Sequence, residues 1–337
     1  MEMSIKRRRK RTRTSSFGTS GRESHDSTPF YSRKMYKDIV LPRPSPGDLV
    51  ENPVPPEFLD KVILGDAREV LKELPDNCVH LMVTSPPYNA GKEYDEDLTL
   101  GEYLDFIEEV MREVYRVLVW GGRVCFNVAG LGRRPYIPLH AYLIERFERM
   151  GFLMRGEIVW DKGGGVSQAT AAWGSWCSAV NPAIRDQHEY IILLSKGSFK
   201  RTRGHKRSTI TPREFVDFTR SVWRFPPESA SRIGHPAPFP EELPYRCIQL
   251  FSFEGDVVLD PFVGSGTTCV AAIRTGRHFI GIDKCEKYVR LARERVKRLL
   301  GFLRLTEFLP VSEGFAQENV AKRAPLLVWA SKKLVRR

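Results

Sequence analysis

The sequence predicts an α/β fold: an open, mostly parallel, doubly wound sheet with helices on both faces. Three observations carry that reading. Short apolar runs of strand length alternate with longer stretches whose apolar residues recur at helical spacing. One strand run ends in a glycine-rich turn that opens a helix, which is how sheets of this class approach a ligand. The composition is globular, at 42% hydrophobic and 28% charged over 337 residues, with no apolar run near the roughly eighteen residues of a membrane span.

Residues 1–30 are polar, and the Pro-rich stretch Leu41–Pro56 reads as a connector. Lys61–Gly65 then gives a strand, Ala67–Leu74 a helix and Val79–Thr84 a second strand. Leu104, Ile107, Val110, Met111, Val114, Tyr115 and Leu118 share one helical face and predict a helix over Glu102–Val119. Gly121-Gly122 is read as its stop and Arg123–Val128 as the next strand. Leu139–Met150 is a helix ended by Gly151, and Gly156–Trp160 a strand. Asp161–Arg185, rich in Gly, Ala and Trp without a period, is a long loop leading to the strand Glu189–Leu194. After a basic interruption come helix Glu241–Phe251, strand Val257–Leu259, helix Thr267–Thr275, strand Phe279–Ile282 and the long helix Glu286–Leu300.

Charge is concentrated. Of the net +12, residues 1–13 hold +6, residues 196–224 hold +7 and residues 320–337 hold +6, which leaves about −7 on the rest. Three basic segments on a mildly acidic body point to a polyanionic partner. The internal segment interleaves Phe199, Phe215, Phe218, Trp223 and Phe225 with its cations, so Lys200, Arg201, Arg203, Lys206, Arg207, Arg213 and Arg220 are candidate nucleic-acid contacts. The six cysteines form no C-x-x-C pair, which predicts neither a zinc site nor a disulfide framework and fits a reducing compartment. The basic start runs into Ser, Thr and Gly, unlike a secretory leader, so the expected location is cytoplasmic, or nuclear in a nucleated cell.

Two constellations carry chemistry. In the first, the strand Val257–Leu259 continues into Asp260-Pro261-Phe262-Val263-Gly264-Ser265-Gly266-Thr267-Thr268, and Asp283 ends the next strand 19 residues after Gly264. Backbone amides at such a turn can approach a ligand closely, and a carboxylate at that spacing suits ribose hydroxyls. Cys269 replaces the third glycine of a dinucleotide fingerprint and no Lys follows the turn, so a nucleoside without polyphosphate fits better. In the second, Thr84-Ser85-Pro86-Pro87-Tyr88 follows the strand His80–Val83. Two prolines fix the backbone and remove two amide donors, leaving acceptors for an exocyclic amine beside an aromatic ring. Both constellations, with Asp66 after the first strand, end strands of one sheet and should share a cleft.

Together these residues resemble the S-adenosylmethionine-dependent DNA amino-methyltransferases of the permuted β class, in which the Ser-Pro-Pro-Tyr type of loop precedes the Asp-Pro-Phe-Val-Gly-Ser-Gly-Thr-Thr loop. Supporting matches are Gly65-Asp66, Trp120-Gly121-Gly122, Ile158-Val159-Trp160-Asp161-Lys162 and His235-Pro236-Ala237-Pro238-Phe239-Pro240. The resemblance implies a seven-stranded Rossmann-like sheet with permuted motif order. It divides the chain into a basic arm and connector (1–56), a catalytic half (57–195), a target-recognition insert (196–234), a cofactor half (235–301) and a basic extension (302–337). It implies S-adenosyl-L-methionine as cofactor, no metal, duplex DNA as substrate and a possible partner restriction endonuclease, in a monomer or homodimer.

By the same resemblance Phe262, Gly264, Ser265, Gly266 and Thr267 would cradle the cofactor, with Asp260 and His235 nearby. Asp283 would bind its ribose and Asp66 its adenine. Ser85, Pro86, Pro87 and Tyr88 would hold a flipped base, and Asn127 would orient the base or Ser85. A Ser at the start of the loop is usual in the cytosine-N4 group, whereas adenine-N6 enzymes usually carry Asp or Asn, so Ser85 favours cytosine. The alternatives are an adenine-N6 enzyme, an RNA methyltransferase, or a DNA-binding protein that uses the nucleoside only as a ligand.

Overall fold

The computed structural model describes residues 12–13, 25–26, 31–37, 39, 41–88, 97–132, 134–163, 174–228 and 239–308. The chain divides into two units, Met1–Arg43 and Pro44–Arg337. The first holds a two-residue parallel pairing of Thr12–Arg13 with His25–Asp26 and a single helical turn, Lys34–Lys37. Everything below concerns the second.

Eight strands form its sheet: β1 (Lys61–Leu64), β2 (Val79–Thr84), β3 (Leu118–Val128), β4 (Phe152–Asp161), β5 (His188–Lys196), β6 (Val222–Arg224), β7 (Val257–Asp260) and β8 (His278–Asp283). Their spatial order is β1-β8-β7-β2-β3-β5-β4-β6. Every neighbouring pair is parallel except those of β5, which runs antiparallel to β3 and β4. The doubly wound, mostly parallel architecture expected from the sequence is present, with one strand more than the seven anticipated. The extra strand is β6, whose three residues pair with Val159–Asp161. Three residues are too few to show a period, although Trp223 between two exposed neighbours is fully buried.

Among the described residues, seven helices cover the sheet: α1 (Ala67–Val70, continued by a 3-10 turn over Leu71–Glu73), α2 (Leu100–Val117), α3 (Leu139–Arg149), α4 (Pro212–Phe218), α5 (Glu242–Phe251), α6 (Thr267–Arg274) and α7 (Glu286–Phe308). Thr99 and Glu102 close a capping box at the start of α2, whose apolar stripe packs with α1 and α3 on one face of the sheet. Residues of α5, α6 and α7 build the core on the other. The period-2 alternation of a strand sorts β2 between them: Met82 joins the first core, Leu81 and Val83 the second. Gly121-Gly122 does not stop α2, which ends at Val117; the pair lies inside β3. Gly121 has φ +75°, and a Cβ there would stand 2.4 Å from the Lys200 carbonyl oxygen, so close backbone approach fixes the residue. All six cysteines are free thiols, four of them buried.

The topology places the site. From β7 the chain proceeds to β8 on one side, and from β2 it proceeds to β3 on the other. The two central strands therefore part company at their carboxyl ends, where an open sheet of this class forms its crevice.

Candidate active site

Asp260, the last residue of β7, joins the two halves of this crevice. Thr84 at the end of β2 donates its hydroxyl to Oδ1 at 2.6 Å, Thr268 in α6 donates to Oδ2 at 2.6 Å, and the Phe262 amide adds a bond to Oδ1 at 3.1 Å. Burial raises its pKa to about 6, against the pull of those donors. Asp260 is 1% exposed and does not line the cleft. It is a strut that fixes the Ser85 loop relative to the Phe262 loop.

The cleft, about 260 Å³, is lined on one side by Asp66, Phe106, Phe262, Gly264, Asp283 and Tyr288. Gly264, at φ +48°, donates its amide to Asp283 Oδ2 at 2.9 Å, and Cys285 donates to Oδ1 at 2.8 Å. Burial still raises the Asp283 carboxyl above its usual range. Asp66 caps α1 and accepts the Arg68 amide at 2.8 Å and its guanidinium at 2.7 Å, a pairing that lowers its pKa. The same guanidinium stacks over Phe106 at 5.3 Å, and Phe106 packs on Phe262 at 5.8 Å. Neither Phe106 nor Arg68 carries a motif signal.

Ser265, Gly266 and Thr267 are not among the residues that line the cleft. Ser265 and Thr267 are buried, and Arg295 of α7 donates to the Ser265 carbonyl at 2.6 Å, the Ser265 hydroxyl at 3.0 Å and the Thr267 hydroxyl at 3.2 Å. A Cβ on Gly266, at φ +80°, would meet the Ala292 Cβ at 2.8 Å. These three residues dock α6 against α7. Of that loop, Pro261, Phe262 and Gly264 line the cleft. His235 lies outside the described residues.

On the opposite wall Ser85, Pro86, Pro87, Tyr88 and Asn127 come together. Ser85 Oγ lies 2.8 Å from Tyr88 Oη, and the Tyr88 hydroxyl donates to Glu189 Oε2 at 3.3 Å. Asn127 Nδ2 donates to the same carboxylate oxygen at 2.5 Å and reaches Tyr88 Oη at 3.2 Å and Ser85 Oγ at 3.4 Å. Lys162 Nζ closes the set on Glu189 Oε1 at 2.5 Å and sits 5.4 Å from the centre of the Trp160 ring. Burial raises the Tyr88 pKa strongly, so its hydroxyl stays protonated and can pass a hydrogen bond from Ser85 to Glu189. Motif reasoning missed Glu189 and Lys162 as site residues. The available signals were a carboxylate at the head of an apolar strand and a Lys closing the Ile158–Lys162 segment.

The basic segment is elsewhere. Arg201 forms a buried ion pair with Asp256, its side chain 2% exposed. Lys206 pairs with Glu51 at 3.1 Å and Asp256 at 3.2 Å, and Arg207 with Glu254. Asp256 immediately precedes β7, and His80 near the start of β2 sits 3.3 Å from Lys206, so this cluster lies at the amino ends of the parallel strands. That edge is opposite the cleft. Arg201 is therefore an internal ion-pair partner, a correction to its reading as a free DNA contact, while Lys206 is partly exposed and Arg207 exposed, each already paired with a carboxylate. Lys200, Arg203, Arg213 and Arg220 are exposed, with Arg220 paired to Asp217 at 3.4 Å.

Residues 79–294, spanning both loops, match the family model described as DNA methylase, which covers N6 and N4 enzymes. The chain belongs to the N6/N4 DNA methylase family. It is 33% identical over 273 residues to the type II methyltransferase M.MjaI of Methanocaldococcus jannaschii, covering 67% of this chain and 88% of that one. It is 31% identical over 257 residues to the DNA adenine methyltransferase YhdJ of Escherichia coli K12, covering 70% and 82%. Among solved structures, the DNA modification methylase TTHA0409 of Thermus thermophilus, complexed with S-adenosyl-L-methionine, superposes with a TM-score of 0.57 at 36% identity, covering 71% of this chain and 93% of that one. This methylase is an S-adenosyl-L-methionine-dependent enzyme acting on DNA.

Proposed function

We propose that this methylase carries the methyl group of S-adenosyl-L-methionine to the exocyclic N4 amine of a cytosine rotated out of duplex DNA, as the modifying partner of a restriction system or as a DNA-marking enzyme. The observation that carries the cytosine reading is Ser85, a neutral hydroxyl at the position where adenine-type loops place Asp or Asn.

The cleft suits the cofactor. Its wall runs from the ends of β7 and β2 across β8 to β1, three strand spacings or about 14 Å, the reach of a nucleoside with an amino-acid arm. Asp283 would accept from the ribose hydroxyls and Asp66 from the adenine amine, while Phe262, Gly264 and Phe106 enclose the apolar part. The bound cofactor supplies an electrophilic methyl group on a sulfonium.

The difficulty lies in the nucleophile, because a cytosine amine delocalises its lone pair into the ring. Ser85 passes its own proton toward Tyr88, which leaves lone pairs on Oγ for an amine N–H; the Pro86 carbonyl offers a second acceptor. Two such acceptors favour a pyramidal nitrogen with a localised lone pair. Tyr88 gives the base a stacking face, and positioning supplies much of the acceleration. The Glu189 carboxylate, held by Lys162, anchors the far end of the Ser85–Tyr88 chain and so fixes the direction of its hydrogen bonds. Since the target lies inside a duplex, flipping must precede all of this.

A second reading, adenine N6, draws on the 31% identity to YhdJ, named an adenine methyltransferase. The test is incubation with unmethylated genomic DNA and isotopically labelled S-adenosyl-L-methionine, then digestion and mass spectrometry of the nucleosides. Labelled N4-methylcytosine is expected. N6-methyladenine would move the reading to adenine, and unlabelled DNA would overturn it.

A further inference from the structure

The connection between β4 and β5 leaves and re-enters the sheet at the cleft. The Lys162 amide donates to the Gln187 carbonyl at 2.9 Å and closes the base of this loop, while Lys162 and Glu189, on either side of the closure, both line the cleft. Beyond the base, residues 174–182 fold back on themselves. Gly174 and Pro182 form an antiparallel bridge, and the Ser175 amide donates to the Asn181 carbonyl at 2.8 Å. Gly174 is required there: its φ is +66°, and a Cβ would stand 2.2 Å from the Asn181 carbonyl oxygen.

This hairpin presents apolar side chains to solvent. Trp176 is 69% exposed, Val180 86% and Ile184 79%. No residue from 174 to 184 is charged. Large apolar side chains concentrated on one exposed tip mark a contact surface. A tip made to rest on phosphates would carry cations; an uncharged one bearing an indole suits the interior of a base stack.

We propose that the 174–184 hairpin is a wedge that enters the duplex beside the target, with Trp176 and Val180 filling the gap left by the flipped base. The proposal rests on the base-flipping reading above and extends it to the partner surface. It explains how an enzyme whose buried basic cluster faces the opposite edge can still hold an open duplex at its cleft. The wedge stabilises the flipped state and takes no part in chemistry, so its loss should matter only where a paired, stacked base has to be extruded.

The test compares wild type with the double variant Trp176→Ala/Val180→Ser on two duplexes carrying the target mapped from methylated genomic DNA. In one the target is normally paired; in the other it faces an abasic site. On the paired duplex the variant's rate should fall about tenfold or more, and on the abasic duplex it should return to within about twofold of wild type. Calorimetric affinity for S-adenosyl-L-methionine should match wild type, which shows that the variant is folded. Equal rates on the paired duplex would overturn the wedge, as would equal losses on both duplexes or a change in oligomeric state that accounts for the loss. If the wild-type chain methylates no DNA, the underlying reading fails; if it does and the variant matches it, the wedge alone fails.

Discussion

Buried carboxyls at the two edges of the sheet are held in opposite ways. At the amino ends, Arg201, Lys206, Asp256 and Glu51 neutralise one another in a packed cluster that His80 completes. At the carboxyl ends, Asp260 and Asp283 are held by hydroxyls and backbone amides, without a cation in direct contact among the described residues. The titration behaviour follows. Burial pushes Asp256 up, but the Arg201 hydrogen bond and neighbouring cations overcome it and lower the carboxyl to about 2, whereas burial raises Asp260 to about 6. Asp256 belongs to a cluster that satisfies itself and stabilises the fold, whereas Asp260 and Asp283 are set among neutral donors at the cleft, beside the Asp66–Arg68 and Glu189–Lys162 pairs. Density of basic residues along the sequence does not distinguish the two.

The largest effect expected from breaking this contrast is on stability at the amino edge. Arg201→Ala leaves the buried Asp256 carboxylate with Lys206 as its remaining direct ion-pair partner among the described Lys and Arg residues and should cost about 3 kcal/mol in urea unfolding, with kcat of the folded fraction preserved. Next comes Ser85→Ala at the other edge, which should lower kcat about 100-fold while the melting temperature stays near wild type.

The pH dependence of stability sharpens the comparison. Asp256 is depressed below its unfolded value, so its contribution of about 2 kcal/mol is present above pH ~4 and is lost as pH falls toward 2. Asp260 is raised, so its contribution, about 3 kcal/mol, is present below pH ~4 and is lost as pH rises through about 6. Relative to wild type, Asp256→Asn should flatten the acid arm of a plot of unfolding free energy against pH, and Asp260→Asn the segment from pH 4 to 6. The reverse pattern would refute the assignment of the two carboxyls. The smallest effect belongs to Arg207→Ala, an exposed pair with Glu254, which should change stability by less than about 1 kcal/mol.

Much of this was legible in the sequence. The strand ends Thr84, Asp260 and Asp283 could be placed because apolar runs of strand length stop at them, and the loops after β2 and β7 because Pro-Pro and Gly-x-Gly punctuate backbone so strongly. What stayed hidden depends on distant partners. Arg201 reads as a DNA contact until Asp256, 55 residues away, is seen against it. Glu189 reads as the head of a strand until the antiparallel pairing of β3 with β5 brings it to Asn127. The orientation of Ser265, Gly266 and Thr267 is set by the docking of α7, which no local pattern reveals.

The central claim is that chemistry resides at the carboxyl edge and structural charge at the amino edge. Single-turnover methyl transfer to one labelled DNA by wild type, Tyr88→Ala and Arg207→Ala tests it most directly. The account predicts a loss of at least about 100-fold for Tyr88→Ala, with cofactor affinity retained, and less than about twofold for Arg207→Ala. Comparable losses in both variants, or a loss confined to Arg207→Ala, would contradict it.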